Sequence, residues 1–252
     1  YDEVGRALQE CKRLVPGAIA RVGARRWNAL VNVPGTLERR GADGGVVNRA
    51  YHKLHEIALS CVLPRCDATL HLCEAPGGFV ECAKDHLATE RWRWLAVTLP
   101  DGIAPLTAQL PMRAGVFLLR DVLVDDVLAD VAAHFTEGVV DLATADGAVA
   151  MDHDRIEEEH VALLWAQCAI AARALRPGGC FVVKIFEGIR PCTRGVVAAL
   201  THLFDTVAMI KPPSSRPTNS ERYLVCRGRN ATPPVDDPRE IVTADDWNAA
   251  YH

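Results

Sequence analysis

From about residue 46 the apolar positions fall into short continuous runs separated by stretches with helical periodicity. Ala50–Cys61 spaces its apolar residues as one face of a helix. Ala68–Cys73 is a short apolar strand ended by Pro76-Gly77-Gly78, and Phe79 to about Ala88 predicts the next helix. Trp94–Leu99 and Val116–Leu119 are further strands, each stopped by Pro, Gly or Asp. Val139–Ala145 is a strand ending at Asp146-Gly147. A long helix follows, roughly Glu157–Leu175, which Arg176-Pro177-Gly178-Gly179 closes in the manner of a helix C-terminus. Cys180–Phe186 is an almost wholly apolar strand with one charge, Lys184. Gly195–Leu203 reads as a helix, and Thr206–Ile210 and Tyr223–Cys226 as two last strands able to pair as a hairpin.

Continuous apolar strands that alternate with helices need a sheet buried on both faces, so the pattern predicts an α/β fold with a mostly parallel sheet. In such sheets the ligand lies beyond the carboxyl ends of the strands. The residues to read for chemistry are therefore Glu74–Phe79, Thr98–Asp101, Asp121, Asp146 and Lys184–Glu187. The tail from Arg229, rich in Pro and Asp, is expected to wrap the surface.

Composition narrows the class. The 252 residues are enough to bury a full core, and 49% hydrophobic content with a net charge of −4 excludes disorder for the bulk of the chain. No run of about 18 apolar residues exists, so no membrane-spanning helix is expected. The opening at Tyr1, charged at once and without an apolar segment, reads as a trimmed domain with no secretory signal. The nine cysteines are odd in number and form no CxxC pair, which argues for reduced thiols in an intracellular compartment over a disulfide framework or zinc ribbon.

The charge is unevenly divided. Residues 1–53 hold ten Lys/Arg against five Asp/Glu, a surplus of five, and the total of −4 then leaves the rest at −9. This predicts a basic face on an acidic body, with Arg25, Arg26, Arg39 and Arg40 around Trp27 as candidate nucleic-acid contacts. An ordinary solvated helix surface is the alternative reading of the same charges.

Glu74-Ala75-Pro76-Gly77-Gly78-Phe79 follows the first strand and opens a helix. Paired glycines let backbone N–H groups approach a ligand, and the helix N-terminus favours its anionic part; a plain tight turn is the alternative. The three-glycine dinucleotide fingerprint is absent. Asp121 and Asp146 each close an apolar strand, where a carboxylate accepts hydrogen bonds from a ligand or caps a helix. Lys184, embedded in Cys180-Phe-Val-Val-Lys-Ile-Phe186, must lose its hydration or reach the open end of the sheet.

On these residues the chain resembles a known family. The order Lys53, Asp146, Lys184, Glu221 is similar to the K-D-K-E tetrad of the FtsJ-like ribose 2′-O-methyltransferases. Asn48-Arg-Ala-Tyr-His-Lys53-Leu resembles the family's N-terminal lysine segment, and Leu72-Cys-Glu-Ala-Pro-Gly-Gly-Phe79 its S-adenosylmethionine motif. Thr144-Ala-Asp146-Gly and Phe181-Val-Val-Lys184 supply the middle pair. Lys211-Pro-Pro-Ser-Ser-Arg-Pro-Thr-Asn-Ser-Glu221-Arg-Tyr-Leu-Val-Cys226 resembles the closing segment. The Cys-Glu-Ala-Pro-Gly-Gly-Phe form, Asn48-Arg49-Ala50 and Asn219-Ser220-Glu221 look most like the eukaryotic and viral mRNA cap enzymes.

The resemblance implies a Rossmann-like methyltransferase fold with a mostly parallel seven-stranded sheet and a C-terminal antiparallel hairpin. It implies a methyltransferase domain over 46–228, a basic extension over 1–45 and a tail over 229–252. S-adenosylmethionine would be held by Glu74, Ala75, Pro76, Gly77, Gly78, Phe79, Thr98, Asp121 and Asp146, leaving as S-adenosylhomocysteine; no metal or membrane is implied. Asp121 resembles the adenine-contacting acid, whereas the acid expected after the second strand is not evident, and Val97-Thr-Leu-Pro-Asp101 offers only Asp101, one turn late. RNA, in the first place 5′-capped mRNA, would meet Arg25, Arg26, Arg49, Lys211, Ser215, Arg216 and Asn219. The enzyme would work in the nucleus if cellular and eukaryotic, or in the host cytoplasm if from a cytoplasmic virus. Ribosomal or transfer RNA as substrate, and an inactive RNA-binding subunit, are the alternatives.

A ribose 2′-hydroxyl must lose its proton as it attacks the donor methyl, and a base with a pKa near the working pH serves best. In the implied mechanism Lys184 is the base or orients the 2′-oxygen. Lys53 is the neighbouring cation, Asp146 orients lysine and donor, and Glu221 holds Lys53. Asp152-His153-Asp154 with Glu157, Glu158, Glu159 and His160 read as charges of a helix first turn rather than as a metal site. Asn230-Ala-Thr has no role as a glycosylation acceptor in a reducing compartment. Trp92, Trp94, Trp165 and Trp247 are expected to pack, with Trp27 the better candidate for stacking on a base.

Overall fold

In the computed structural model the described residues are 2–23, 46–103, 105, 110–135, 139–149, 155–216 and 219–231. Helix α1 (Asp2–Val22) precedes an alternating series. The series runs α2 (Ala50–Cys61), β1 (Cys66–Leu72), α3 (Gly78–His86), β2 (Ala88–Thr98), β3 (Gly115–Leu119), α4 (Val127–His134) and β4 (Val140–Ala145). It continues with α5 (Ile156–Ala174), β5 (Leu175–Phe186), α6 (Pro191–Leu203), β6 (Phe204–Ile210) and β7 (Glu221–Arg229). The seven strands form one sheet in the order β3-β2-β1-β4-β5-β7-β6. β7 lies antiparallel between β5 and β6; the other pairings are parallel.

The period-2 alternation of side chains sorts the strands onto two cores. Leu70, Leu72, Ala143, Ala145, Phe181, Val183, Leu224 and Cys226 face α4, α5 and α6. Trp94, Leu142, Val182, Tyr223 and Val225 face α2 and α3, where Leu54, Ile57 and Phe79 are fully buried. The parity has a consequence for chemistry: Lys184 falls on the face of Val182, and Tyr223 and Glu221 on the face of Val225. All three lie under α2.

Several elements differ from the sequence pattern. β2 begins at Ala88, six residues before Trp94, because the chain leaves α3 directly into pairing, with Cys66 N–H donating to Leu87 O at 2.8 Å. The segment after α5 is not a glycine-capped helix end: Leu175 is already extended (φ −72°, ψ 136°) and begins β5. Pro177, Gly178 and Gly179 form an irregularity inside that strand, where the β4 register jumps from Val140↔Leu175 to Leu142↔Cys180. Helices α1 and α4 were not foreseen; Asp126 caps α4 by accepting from Ala129 N–H at 3.1 Å. α6 starts at Pro191, a residue suited to a first helical turn, rather than at Gly195. Trp92 and Trp94 are buried, as packing residues should be. All nine cysteines are unpaired thiols.

Candidate active site

β1 is flanked by β2 on one side and β4 on the other, so the chain reverses its direction of travel across the sheet there. The connections after β1 and β4 therefore diverge to opposite faces and open a crevice at the strand ends. Glu74 lies beside it, in the turn after β1, and Asp146 directly follows β4.

Glu74 is buried and turned inward. Its Oε1 accepts from Phe79 N–H at 2.6 Å and Val80 N–H at 3.1 Å, while Gly77 N–H donates to Glu74 O at 2.9 Å. These amides at the start of α3 are thus taken by the protein's own acid, which corrects the reading of a helix N-terminus open to an anionic ligand. Burial drives the Glu74 carboxyl well above the usual range, against the two backbone donors. Gly77 has φ +123°, and a Cβ there would lie 2.6 Å from Leu110 Cδ1. Gly78 lets α3 press on α2, since a Cβ there would sit 2.9 Å from Tyr51 N. Ala75 and Pro76 remain half-buried at the turn, and Phe79 is in the core.

The four residues of the proposed tetrad are brought together by α2, β4, β5 and β7. Lys53 Nζ donates to Glu221 Oε2 at 3.0 Å and lies 2.9 Å from Oε1. Lys184 Nζ donates to Asp146 O at 2.6 Å and lies 3.2 Å from Asp146 Oδ1. Tyr223 joins the pairs: its Oη donates to Asp146 Oδ1 at 2.6 Å and accepts from Lys53 Nζ at 3.3 Å. Burial raises the Asp146 carboxyl, but Lys184, then Lys53, with the Tyr223 hydroxyl, outweigh it and hold the group below its ordinary value. Burial first, then Asp146 and Glu221, push the Tyr223 phenol far up, so it stays a donor. Two ammonium groups against two carboxylates is the arrangement in which buried charge is tolerated. Sequence reading missed Tyr223; the usable signal was its place two residues after Glu221, on the same strand face.

The remaining candidates divide. Thr98 is buried at the end of β2. Asp121 Oδ1 accepts from Leu123 N–H at 2.9 Å in a local turn, and helix capping belongs to Asp126. Arg49 and Arg216 are exposed. Lys211, Ser215 and Asn219, expected to meet RNA, form a network under Glu221. Lys211 Nζ donates to Asn219 O and Oδ1, both at 2.9 Å, and to Glu221 O at 3.0 Å. Ser215 Oγ, almost fully buried, donates to Glu221 Oε1 at 2.7 Å. An ammonium whose donors are filled this way has no surplus to offer a phosphate. Glu157 is likewise structural: its carboxylate accepts from the Ile189 and Arg190 N–H groups at 3.2 Å, fastening the turn before α6. His160 packs edge-on against Phe186. Among the described residues no group of His, Cys, Asp and Glu is arranged to hold a metal. Arg25, Arg26, Trp27, Arg39, Arg40, Asp152, His153, Asp154 and Trp247 lie outside the described residues.

Comparison with known proteins gives this arrangement a lineage. Residues 46–229 match the FtsJ-like methyltransferase family. The chain belongs to that family. This FtsJ-like chain is 32% identical over 213 residues to the cap-specific mRNA (nucleoside-2′-O-)-methyltransferase 1 of Trypanosoma brucei brucei, covering 75% of this chain and 57% of the relative. It is 29% identical over 275 residues to cap-specific mRNA (nucleoside-2′-O-)-methyltransferase 2 of Drosophila melanogaster, covering 94% of this chain and 38% of the relative. The chain thus spans little more than half, or less, of these relatives. The human tRNA (cytidine(32)/guanosine(34)-2′-O)-methyltransferase is 31% identical over 159 residues, covering 62% of this chain and 46% of the relative. A Plasmodium falciparum structure described as a ribosomal RNA methyltransferase shares the fold, with a TM-score of 0.58 at 19% identity over 72% of this chain and 97% of its own.

Proposed function

We propose that this FtsJ-like protein transfers a methyl group from S-adenosylmethionine to a ribose 2′-hydroxyl of RNA, with a cap-proximal nucleotide of mRNA as acceptor. The observation that carries the reading is the continuous polar chain Lys184–Asp146–Tyr223–Lys53–Glu221 at the point where the sheet opens. The trypanosome and fly relatives support capped mRNA as the substrate.

The crevice suits the donor: Asp146 and Asp121 make it polar at the strand ends, and the half-buried Ala75-Pro76 turn lies beside it. Asp146 and Asp121 would hold the donor's amine groups, Thr98 its ribose side, and Ala75 to Phe79 would form the floor. When bound, the cofactor supplies an electrophilic methyl on a sulfonium. The protein's part is position and protons. Lys184, fixed on Asp146, orients the 2′-oxygen and takes its proton when neutral. Asp146 stays ionised and offsets cationic charge. Glu221 keeps Lys53 in place beside Tyr223. The basic segment 1–45 would extend the RNA surface of the 46–228 domain beside exposed Arg49 and Arg216. The reduced thiols accord with an intracellular site, the nucleus for a cellular eukaryotic enzyme.

The human tRNA relative favours a second substrate for the same chemistry. Labelled S-adenosylmethionine offered with capped transcript, uncapped transcript and tRNA decides between them. Transfer to capped RNA alone is the expected result; equal transfer to uncapped RNA or tRNA overturns the cap reading, and no transfer to any RNA points to a binding subunit.

A further inference from the structure

By helical spacing α2 presents Arg49, Lys53 and Glu56 along one face. Lys53 reaches Glu221. Glu56, one turn on, is 7% exposed, and its Oε2 accepts from Ser214 N–H at 2.9 Å and Ser214 Oγ at 2.8 Å. Arg49, one turn back, donates from Nη2 to Ser214 O at 3.1 Å. The next residue, Ser215, donates to Glu221 Oε1. The segment between β6 and β7 is therefore gripped by α2 at Ser214 and again, seven residues later, at Glu221. The two grips are linked through Ser215 into a ring: Lys53, Glu221, Ser215, Ser214, Glu56 and back along the helix.

Glu56 takes no part in the transfer described above. Holding a loop needs no buried carboxylate, and among the described residues the buried Oε1 of Glu56 has no hydrogen-bond partner. What this acid does achieve is registry. Lys53 comes from a helix and Glu221 from the start of a strand that pairs with β5, not with α2. Arg49 on Ser214 O and Tyr51 on Asp85 and His86 hold the first turn of the helix, but Glu56 is the buried tie on the far side of Lys53. Without that tie Lys53 would be held less firmly on Glu221 and Tyr223.

We propose that Glu56 is a positioning residue: its latch on Ser214 sets the Lys53–Glu221 pair against Lys184 and Asp146. The catalytic consequence rests on the proposed function, whereas the latch itself is a statement about Lys53. The test uses the full chain with 15N-lysine and follows the side-chain ammonium signal of Lys53, assigned with Lys53→Arg. Held between Glu221 and Tyr223, its Nζ protons exchange slowly with water. In Glu56→Ala that exchange should speed up about tenfold, the scale of one lost buried hydrogen bond, and kcat should fall by a similar factor. The KM for capped RNA and the affinity for S-adenosylmethionine should stay unchanged. Glu56→Gln should restore both readouts in large part, because its amide oxygen still accepts from Ser214. If Glu56→Ala does not fold, Ser214→Ala, which removes only the Oγ bond, should show the same two changes in smaller measure. A folded variant with the Lys53 exchange of the parent overturns the latch, as does loss of KM and kcat together or failure of Glu56→Gln to restore. A parent protein that methylates no RNA overturns the proposed function instead, and the Lys53 exchange still decides the latch.

Discussion

Lys184 and Tyr223 are direct register partners across β5 and β7, and both side chains reach the same carboxylate, Asp146 Oδ1. The proposed acceptor side of the site is thus built from one rung of the sheet. Lys184→Ala removes the group assigned to the 2′-oxygen, and methyl transfer should drop at least about a hundredfold, the usual scale of general-base loss. Lys184→Arg should be nearly as inactive, since guanidinium stays protonated and differs in shape. Single-turnover rate and thermal midpoint on the same preparations check this. A folded Lys184→Ala protein with full activity refutes the assignment.

Tyr223→Phe keeps the ring in the core and removes the hydroxyl between Asp146 and Lys53. The expected loss is about 1–3 kcal/mol of stability, as for an orphaned buried partner. The rate should fall by about tenfold, the equivalent of one hydrogen bond's 1.4 kcal/mol. Unfolding in urea beside a methylation assay reads both, and an unchanged rate would leave Tyr223 as packing alone.

Gly77→Ala should destabilise the protein by about 1–3 kcal/mol, because φ +123° is strained for any side chain and a Cβ would lie 2.6 Å from Leu110 Cδ1. S-adenosylmethionine binding, followed by calorimetry, should be lost with it. Parent-like affinity in a folded variant sinks the placement of the cofactor at this turn.

His71 is wholly buried, with its ring nitrogens 2.8 Å from Thr144 Oγ1 and 2.9 Å from Thr69 Oγ1. Burial lowers its pKa to about 3. The unfolded chain takes up a proton near 6.5 and the folded one does not, so stability falls as the pH drops from about 6.5 toward 3. At pH 5 the deficit relative to pH 7 is about 2 kcal/mol from this group. Glu74 acts in the opposite sense, since its raised carboxyl keeps a proton in the fold. The comparison is therefore between parent and His71→Gln: urea midpoints at both pH values should give the variant a slope shallower by that amount.

Replacing two of Arg25, Arg26, Arg39 and Arg40 should reduce the slope of log RNA affinity against log salt by about two units if both touch phosphate. Filter binding over a salt series measures it, and an unaltered slope makes these arginines plain surface charge.

The strands that sequence revealed best are those buried on both faces. β4 and the Cys180–Ile185 stretch of β5 are buried throughout because helices cover each side, so they read as mostly apolar runs. The start of β2 escaped notice since Thr89, Glu90, Arg91 and Arg93 line its free end, where only alternate positions meet the core. The Pro-Gly-Gly within β5 imitates a helix stop, and only pairing with β4 shows it to be a strand irregularity. Of the site, the charged residues stood out because a lysine in an apolar strand needs a reason. Tyr223 did not, as an aromatic residue in a strand needs none. Nor could spacing alone show that Lys211 and Ser215 turn inward, because their partners, Asn219 and Glu221, are reached only once the chain has turned.

The antiparallel insertion of β7 gives the molecule an order of completion. Everything on the donor side of the crevice is present in the chain by Asp146, and Lys184 follows on β5. Glu221 and Tyr223 come last, on a strand that must enter between two neighbours already laid down. A chain ended before Glu221 has the glycine turn and three of the four tetrad residues, yet Lys53 lacks the carboxylate it bonds. β5 and β6 are then left as bare edges, open to pairing with other chains. The proposed acceptor side is assembled only in a finished sheet.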